Sequence, residues 1–304
     1  MAKTKFEFVC RECGASHHQW AGQCLDCKAW NTLEEVVISQ ATSSKPESLK
    51  DLPASKVQHL SEIKSQHKDR LSTGLTELDR TLGGGLVDGS VVLIGGDPGI
   101  GKSTLILQAL SALNKTNTTL YVSGEESAEQ VSERAVRLGI KEDVLFIGET
   151  HLEKILKLSK DVQPKVIVID SIQTMVTDLS TSAPGSVTQV RDCAAQLTQY
   201  AKQTNTILLM IGHVTKGGAL AGPRILEHMV DAVLYFEGDA GGRYRIIRAV
   251  KNRFGAVNEI SVFAMGEKGL QQVSNPSSIF LSNQENPSSG SMVMVTRERL
   301  QDHF

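Results

Sequence analysis

The stretch "SVVLIGGDPGIGKSTLILQAL", residues 90–110, decides the fold. An apolar run ending at Ile94 gives way to glycines, and these lead into a second apolar stretch with helical spacing. Gly96, Asp97, Pro98, Gly99, Ile100, Gly101, Lys102 and Ser103 fit the pattern G-x-x-x-x-G-K-[ST], with Thr104 following. Glycines let backbone N–H groups curl around a phosphate without Cβ clashes, and the helix N-terminus adds partial positive charge. Lys102 is expected to reach the β- and γ-phosphates of ATP and Ser103 to ligate Mg²⁺. Strand, loop and helix occur in the order this chemistry requires.

Working outward, "TTLYVSG" (118–124), "VLFIG" (144–148), "KVIVID" (165–170), "TILLMIG" (206–212), "AVLYFEG" (232–238) and "YRIIRAV" (244–250) read as further strands. Several are continuously apolar, as in strands covered on both faces. Between them, Val187, Val190, Ala194, Leu197 and Ala201 recur at helical steps, as do Val131, Ala135 and Leu138. The alternation predicts an α/β fold with a largely parallel sheet between helices and an antiparallel, hairpin-like extension at its end.

Two acidic positions accompany the phosphate loop. Asp170 closes the apolar run "KVIVID", where a carboxylate holds Mg²⁺ through water. Glu125 and Glu126 in "LYVSGEES" follow the second strand, where one carboxylate polarises attacking water as a general base. Spacing alone does not choose between them, and acids also gather at helix N-termini.

The chain has 304 residues, 40% of them hydrophobic and 22% charged, which supports a real core. Its net charge of -2 excludes a global field for nucleic acid, so any polyanion site must be a local patch. No apolar run spans a bilayer and no secretory signal opens the chain, which gives a cytoplasmic reading without membrane partners. Of five cysteines, Cys193 stands alone. Cys10, Cys13, Cys24 and Cys27 form two C-x-x-C pairs ten residues apart, the donor set of a closed tetrahedral Zn²⁺ site. A segment so poor in apolar residues needs the metal for its folding energy. His17 and His18 are alternative ligands, but four thiolates complete the shell, so both are expected in exposed loops. Composition divides the chain into a zinc finger (1–37), a Ser-, Lys- and Pro-containing linker (38–56), an ATPase-type domain (57–275) and a tail (276–304) expected to be mobile.

The four-Cys finger, the phosphate loop, "LSTGLTELDRTLGGGLVDGSVVLIGGDPGIGKSTL", "LYVSGEES" and "KNRFG" (251–255) together resemble the RadA (Sms) family of bacterial RecA-like DNA-repair ATPases, over roughly residues 5–295. The resemblance implies a RecA-like P-loop core. It assigns water activation to Glu125 and γ-phosphate sensing to His213, otherwise simply a His closing an apolar strand. It makes the segments after Asp170 and His213 DNA-facing loops, the second carrying Lys216 and Arg224, and the first followed by Arg191. Lys251 and Arg253 are implied to act as fingers on ATP at a subunit interface, or on DNA. Read alone, they are a solvated strand end, as are Arg245 and Arg248 upstream, with Gly255 turning the tip.

The family forms hexameric rings, works with a RecA-type recombinase, drives branch migration and moves on single-stranded DNA like a helicase. It continues into a Lon-like domain; here the chain stops at Phe304 and "TRERLQDHF" departs from that pattern, so this domain is expected to be absent. The resulting expectation is a DNA-dependent ATPase of recombination and repair. Its rivals are a zinc-finger adaptor that uses ATP only as a binding switch and a P-loop phosphotransferase.

Overall fold

The computed structural model describes residues 5–38 apart from 11, 13 and 14, and then 70–213, 226–238 and 242–273. Cys13, nearly all of the expected linker, the loop carrying Lys216 and Arg224, and the expected tail lie outside the described residues.

The N-terminal unit is a small antiparallel sheet of β1 (Lys5–Cys10), β2 (Ser16–His17) and β3 (Leu33–Ile38), in the order β2-β1-β3. Among the described residues its apolar cluster holds Cys10, Cys24 and Leu33, with Phe8, Ala15 and Ala21 against them. A core of that size leaves such a unit dependent on a staple.

The larger unit alternates strands and helices. After α1 (Thr76–Thr81) come β4 (Val91–Gly96), α2 (Lys102–Asn114), β5 (Thr119–Ser123), α3 (Ala128–Arg137), β6 (Leu145–Gly148) and α4 (Leu152–Val162). Then follow β7 (Val166–Asp170), α5 (Val187–Thr204), β8 (Ile207–His213), β9 (Ala232–Gly238), β10 (Tyr244–Asn252), β11 (Ile260–Gly266) and β12 (Gly269–Gln272). Among the described residues these strands form one nine-stranded sheet, ordered β12-β11-β10-β9-β4-β8-β7-β5-β6. From β6 to β9 all pairings are parallel, and β10, β11 and β12 add antiparallel hairpins.

Strand alternation sorts the sheet's side chains into two cores. Val92, Ile94, Tyr121, Val168, Leu209 and Leu234 pack on one face with Leu105, Ile106, Ala109, Leu110 and Leu113 of α2. Val91, Leu93, Leu120, Val122, Ile169 and Met210 pack on the other with Ile155 of α4 and Val190, Cys193, Ala194 and Leu197 of α5. Each fully buried aliphatic side chain contributes about 1.5–3 kcal/mol. Both faces are therefore covered, which is why β4 is apolar throughout and β7 is apolar up to Asp170. Cys193 belongs to this packing, and burial pushes its thiol up to about 12, which leaves it inert at neutral pH.

Helix starts follow local chemistry. Ser127 and Gln130 form a reciprocal capping box on α3, and the Ser186 side chain accepts from Gln189 N at the start of α5. Two corrections to the strand reading fall at its end: β10 runs on to Asn252 and so absorbs Lys251 and Asn252, and β11 and β12, which the reading did not include, extend the sheet beyond it.

Candidate phosphate-binding site and metal centre

Strand register brings the expected residues together. Gly96 of β4 lies beside His213 of β8, Asp170 of β7 beside Ile211, and Ser123 of β5 beside Asp170. Four adjacent parallel strands thus end at one level, at the point where chain order reverses across β4. The crevice beyond such strand ends is where open α/β sheets bind ligands. There a cleft of about 280 Å³ is lined by Pro98, Gly99, Gly101, Lys102, Ser103, Thr104, Glu125, Glu126, Arg134, Arg137, Asp170 and His213.

The loop between β4 and α2 is shaped for an anion. Gly99 and Gly101 adopt φ of +74° and +111°, and a Cβ at Gly99 would meet nothing within 4 Å, so backbone faces open space there. Lys102 is buried, and its Nζ donates to the carbonyls of Gly96 at 2.8 Å and Asp97 at 2.9 Å, with His213 Nδ1 at 3.5 Å. Burial lowers the ammonium pKa, while Asp170 and Glu125 pull it back up. A buried cation amid backbone donors at a helix N-terminus is the donor set that phosphates require.

The acids divide by partner. The buried Asp170 accepts hydrogen bonds from Ser103 and from Tyr121 Oη. Burial raises its carboxyl pKa, and both of these bonds oppose the shift. Ser103 and Asp170 therefore meet at the loop as an oxygen pair suited to Mg²⁺. Glu125 accepts from Ser171 Oγ and faces His213 Nε2 at 3.0 Å. Glu126 is instead paired with both terminal nitrogens of Arg134.

Sequence reasoning missed several lining residues. Arg134 and Arg137 lie in the last turn of α3, and the only signal was a pair of cations on the helix after "SGEES". Arg245, taken for a solvated strand end, donates from Nε to Ile100 O at 2.8 Å and so ties the phosphate loop to β10. A second cleft of about 490 Å³, lined by Asp97, Gly99, Tyr235, Phe236, Glu237 and Arg245 among others, adjoins the loop on that side.

"KNRFG" stands at the other edge of the sheet. Asn252 pairs with Ala232, which pairs with Val92, whereas the phosphate loop begins at Gly96 beside Phe236. The four-residue offset along β9 corresponds to about 13 Å. Lys251 Nζ donates to Glu227 O at 2.5 Å, and Arg253 faces Asp231 Oδ1 at 3.3 Å while its side chain stays 61% exposed. Gly255 does not adopt a positive φ; it is small because a Cβ there would lie 2.7 Å from Gly83 Cα. The expected tight turn is instead a close approach of two backbone segments.

In the N-terminal unit, Cys10, Cys24 and Cys27 bring their sulfurs within 4.8 Å of one another, with Cys10 and Cys27 at 3.6 Å. Two thiolates on a tetrahedral Zn²⁺ stand about 3.8 Å apart at the usual bond length, so the cluster fits that ion. His18 is exposed as expected, but His17 is half-buried in β2 with Nε2 at 3.4 Å from Cys24 Sγ and 3.6 Å from Asp26. No helix among the described residues is long and apolar enough to cross a membrane.

A family model described as a family of unknown function (DUF7125) matches residues 70–256. Another, described as a rubredoxin metal binding domain, matches residues 8–35, the unit that holds the cysteines. The DNA repair protein RadA of Pseudomonas aeruginosa is 56% identical over 299 residues, covering 98% of this chain and 66% of the relative. The proteins of that name from Haemophilus influenzae and Bacillus subtilis are 52% and 47% identical over 303 and 302 residues, with the same coverage. The chain thus spans 66% of the length of these curated relatives. With such identity along nearly all of its length, the chain belongs to the family of bacterial proteins named DNA repair protein RadA.

Proposed function

We propose that this chain is a DNA-dependent ATPase of homologous recombination and DNA repair, which processes branched intermediates by ATP-driven branch migration or by movement on single-stranded DNA. The observation that carries the proposal is the convergence of Lys102, Ser103, Asp170, Glu125 and His213 at the ends of four adjacent parallel strands. The name shared by its relatives supports the setting of DNA repair.

In this reading, the loop from Gly96 to Thr104 cradles the phosphates, and Lys102 exchanges its carbonyl partners for β- and γ-phosphate oxygens. Ser103 and Asp170 would hold hydrated Mg²⁺, which when bound would neutralise charge on the phosphate oxygens. Glu125, kept ionised by His213 and Ser171, orients the attacking water and takes its proton. The water oxygen bonds to the γ-phosphorus as the bond to the β-phosphate oxygen breaks, and ADP leaves. His213 touches Glu125 on one ring nitrogen and approaches Lys102 on the other, a position from which the γ-phosphate is sensed.

Lys251 and Arg253 stand too far from their own loop to serve it, so they serve ATP of a neighbouring subunit, or DNA, in a hexameric ring. Lys216 and Arg224 contact the DNA backbone, a RecA-type recombinase is the partner, and Zn²⁺ on the four cysteines keeps the N-terminal unit folded.

The test is ATP turnover with and without single-stranded DNA. The expected result is stimulation by DNA and loss of turnover in Lys102→Ala. Turnover indifferent to both DNA and the substitution overturns the proposal.

A further inference from the structure

Tyr121 sits in the middle of β5, fully buried, its ring stacked on Phe146 with centroids 6.3 Å apart. With Leu107, Val131 and Ala135 it lines an apolar cavity between α2, α3 and β6. Phenylalanine would fill that space equally well, so packing does not require the hydroxyl. A buried hydroxyl without a partner is destabilising. This one has a partner in the phosphate cleft: it donates to Asp170 Oδ2. Register explains the reach. Tyr121 pairs with Val168, both face the same core, and Asp170 lies two residues further along that face. Asp170 also meets Ser103, so its carboxylate is held from the core side and from the loop side.

We propose that Tyr121 is a positioning residue that fixes the Asp170 carboxylate in the orientation in which, with Ser103, it receives the Mg²⁺ of the bound nucleotide. The inference rests on the reading of Asp170 as the Mg²⁺-facing acid. Tyr121 touches neither nucleotide nor metal and acts through Asp170 alone. It also joins the apolar cavity beside α3 to the site of hydrolysis by a single side chain.

The experiment measures equilibrium binding of fluorescent ADP to the full 304-residue chain, in Mg²⁺ and in EDTA, for the parent chain, Tyr121→Phe, Asp170→Asn and the double variant. Tyr121→Phe is expected to leave affinity in EDTA unchanged and to reduce the Mg²⁺-dependent tightening by about tenfold, as for residues that orient metal-binding groups. It is expected to add nothing in the Asp170→Asn background, because the two changes act on one interaction. In turnover at saturating ATP, its half-saturating Mg²⁺ concentration rises while KM for ATP holds. Equal weakening in Mg²⁺ and EDTA, or a further loss on top of Asp170→Asn, assigns Tyr121 to the core alone and overturns the proposal. So does parental tightening in Tyr121→Phe while Asp170→Asn abolishes it. Full tightening in Asp170→Asn overturns the underlying reading of Asp170 and this inference with it. Tyr121→Met, apolar and without a hydroxyl, repeats the measurement if the Phe variant does not fold.

Discussion

At Glu125 a half-exposed carboxylate is held between Ser171 Oγ and His213 Nε2. Its pKa is lowered, with the His213 hydrogen bond the largest cause and the Ser171 bond helping against burial. A lowered folded-state pKa means that the ionised form is favoured on folding. The associated stability is present above the ordinary carboxylate range and lost as pH falls through the folded value. At neutral pH Glu125 is therefore a carboxylate, and, on the proposed reading in which it orients water, the acid limb of turnover is expected below the ordinary glutamate range. Replacing His213 by Ala removes the largest lowering cause, so the limb is expected to move to higher pH in a kcat–pH profile; an unmoved limb excludes His213 as its origin. Glu125→Gln is expected to reduce kcat by about 10²–10⁴ while ADP affinity holds. Much of this site was legible beforehand. Lys102, Ser103 and Asp170 follow from local motifs whose spacing is their chemistry. The different partners of Glu125 and Glu126 were not legible from spacing, because they depend on Arg134 folding back across nearly two helical turns to pair with Glu126. Tyr121 and Arg245 were illegible for a similar reason, since their partners lie 49 and 145 residues away.

Among elements, the parallel strands were read to within a residue or two. Burial on both faces makes each a continuous apolar run, bounded by polar residues or glycine. The hairpin end was harder. β11 is buried only at its contiguous middle residues Ser261–Phe263, β12 is only four residues long with its first two buried, and β10 carries its buried face past Lys251 to Asn252. The tip after β10 packs through Gly255 on Gly83, and Arg70 donates from Nη2 to Phe254 O at 2.5 Å there. Neither backbone can retreat without breaking such bonds. Gly255→Ala is therefore expected to destabilise the chain by about 1–3 kcal/mol through overpacking, although its φ would suit alanine. Chemical denaturation of the variant checks this. An unchanged midpoint and slope would mean that the loop relaxes freely and does not anchor the "KNRFG" segment.

At the scale of the whole molecule, the phosphate loop and Arg253 stand at opposite ends of the strands, and this separation bears on how Arg253 could act. The phosphate loop, Asp170, Glu125 and His213 occupy the edge formed by the C-terminal ends of the parallel strands. Arg253 lies at the opposite edge, where its backbone N–H donates to Asp231 O and Asp231 N–H donates to Val91 O at the start of β4. The Asp231 carboxylate also accepts from Val91 N and pairs with Lys202, so it is a rigid point from which an exposed guanidinium projects. A rigid sheet separates the two edges, and side-chain motion does not bridge about 13 Å plus the depth of the loop. A cation that serves hydrolysis from there must serve a neighbour's phosphates. Arg253→Ala is then expected to bind ADP with parental affinity and to lose turnover by about 10³ or more, as when an arginine finger is removed. Mixing provides the decisive measurement. Arg253→Ala subunits keep an intact phosphate loop, and Lys102→Ala subunits keep an intact finger. On the trans reading each alone is expected to be inactive, and in a mixed ring the first is expected to hydrolyse ATP with the finger of the second. Turnover that rises on mixing and peaks near equal proportions establishes action in trans. No recovery, together with loss of DNA affinity in Arg253→Ala alone, assigns the same cation to the nucleic acid.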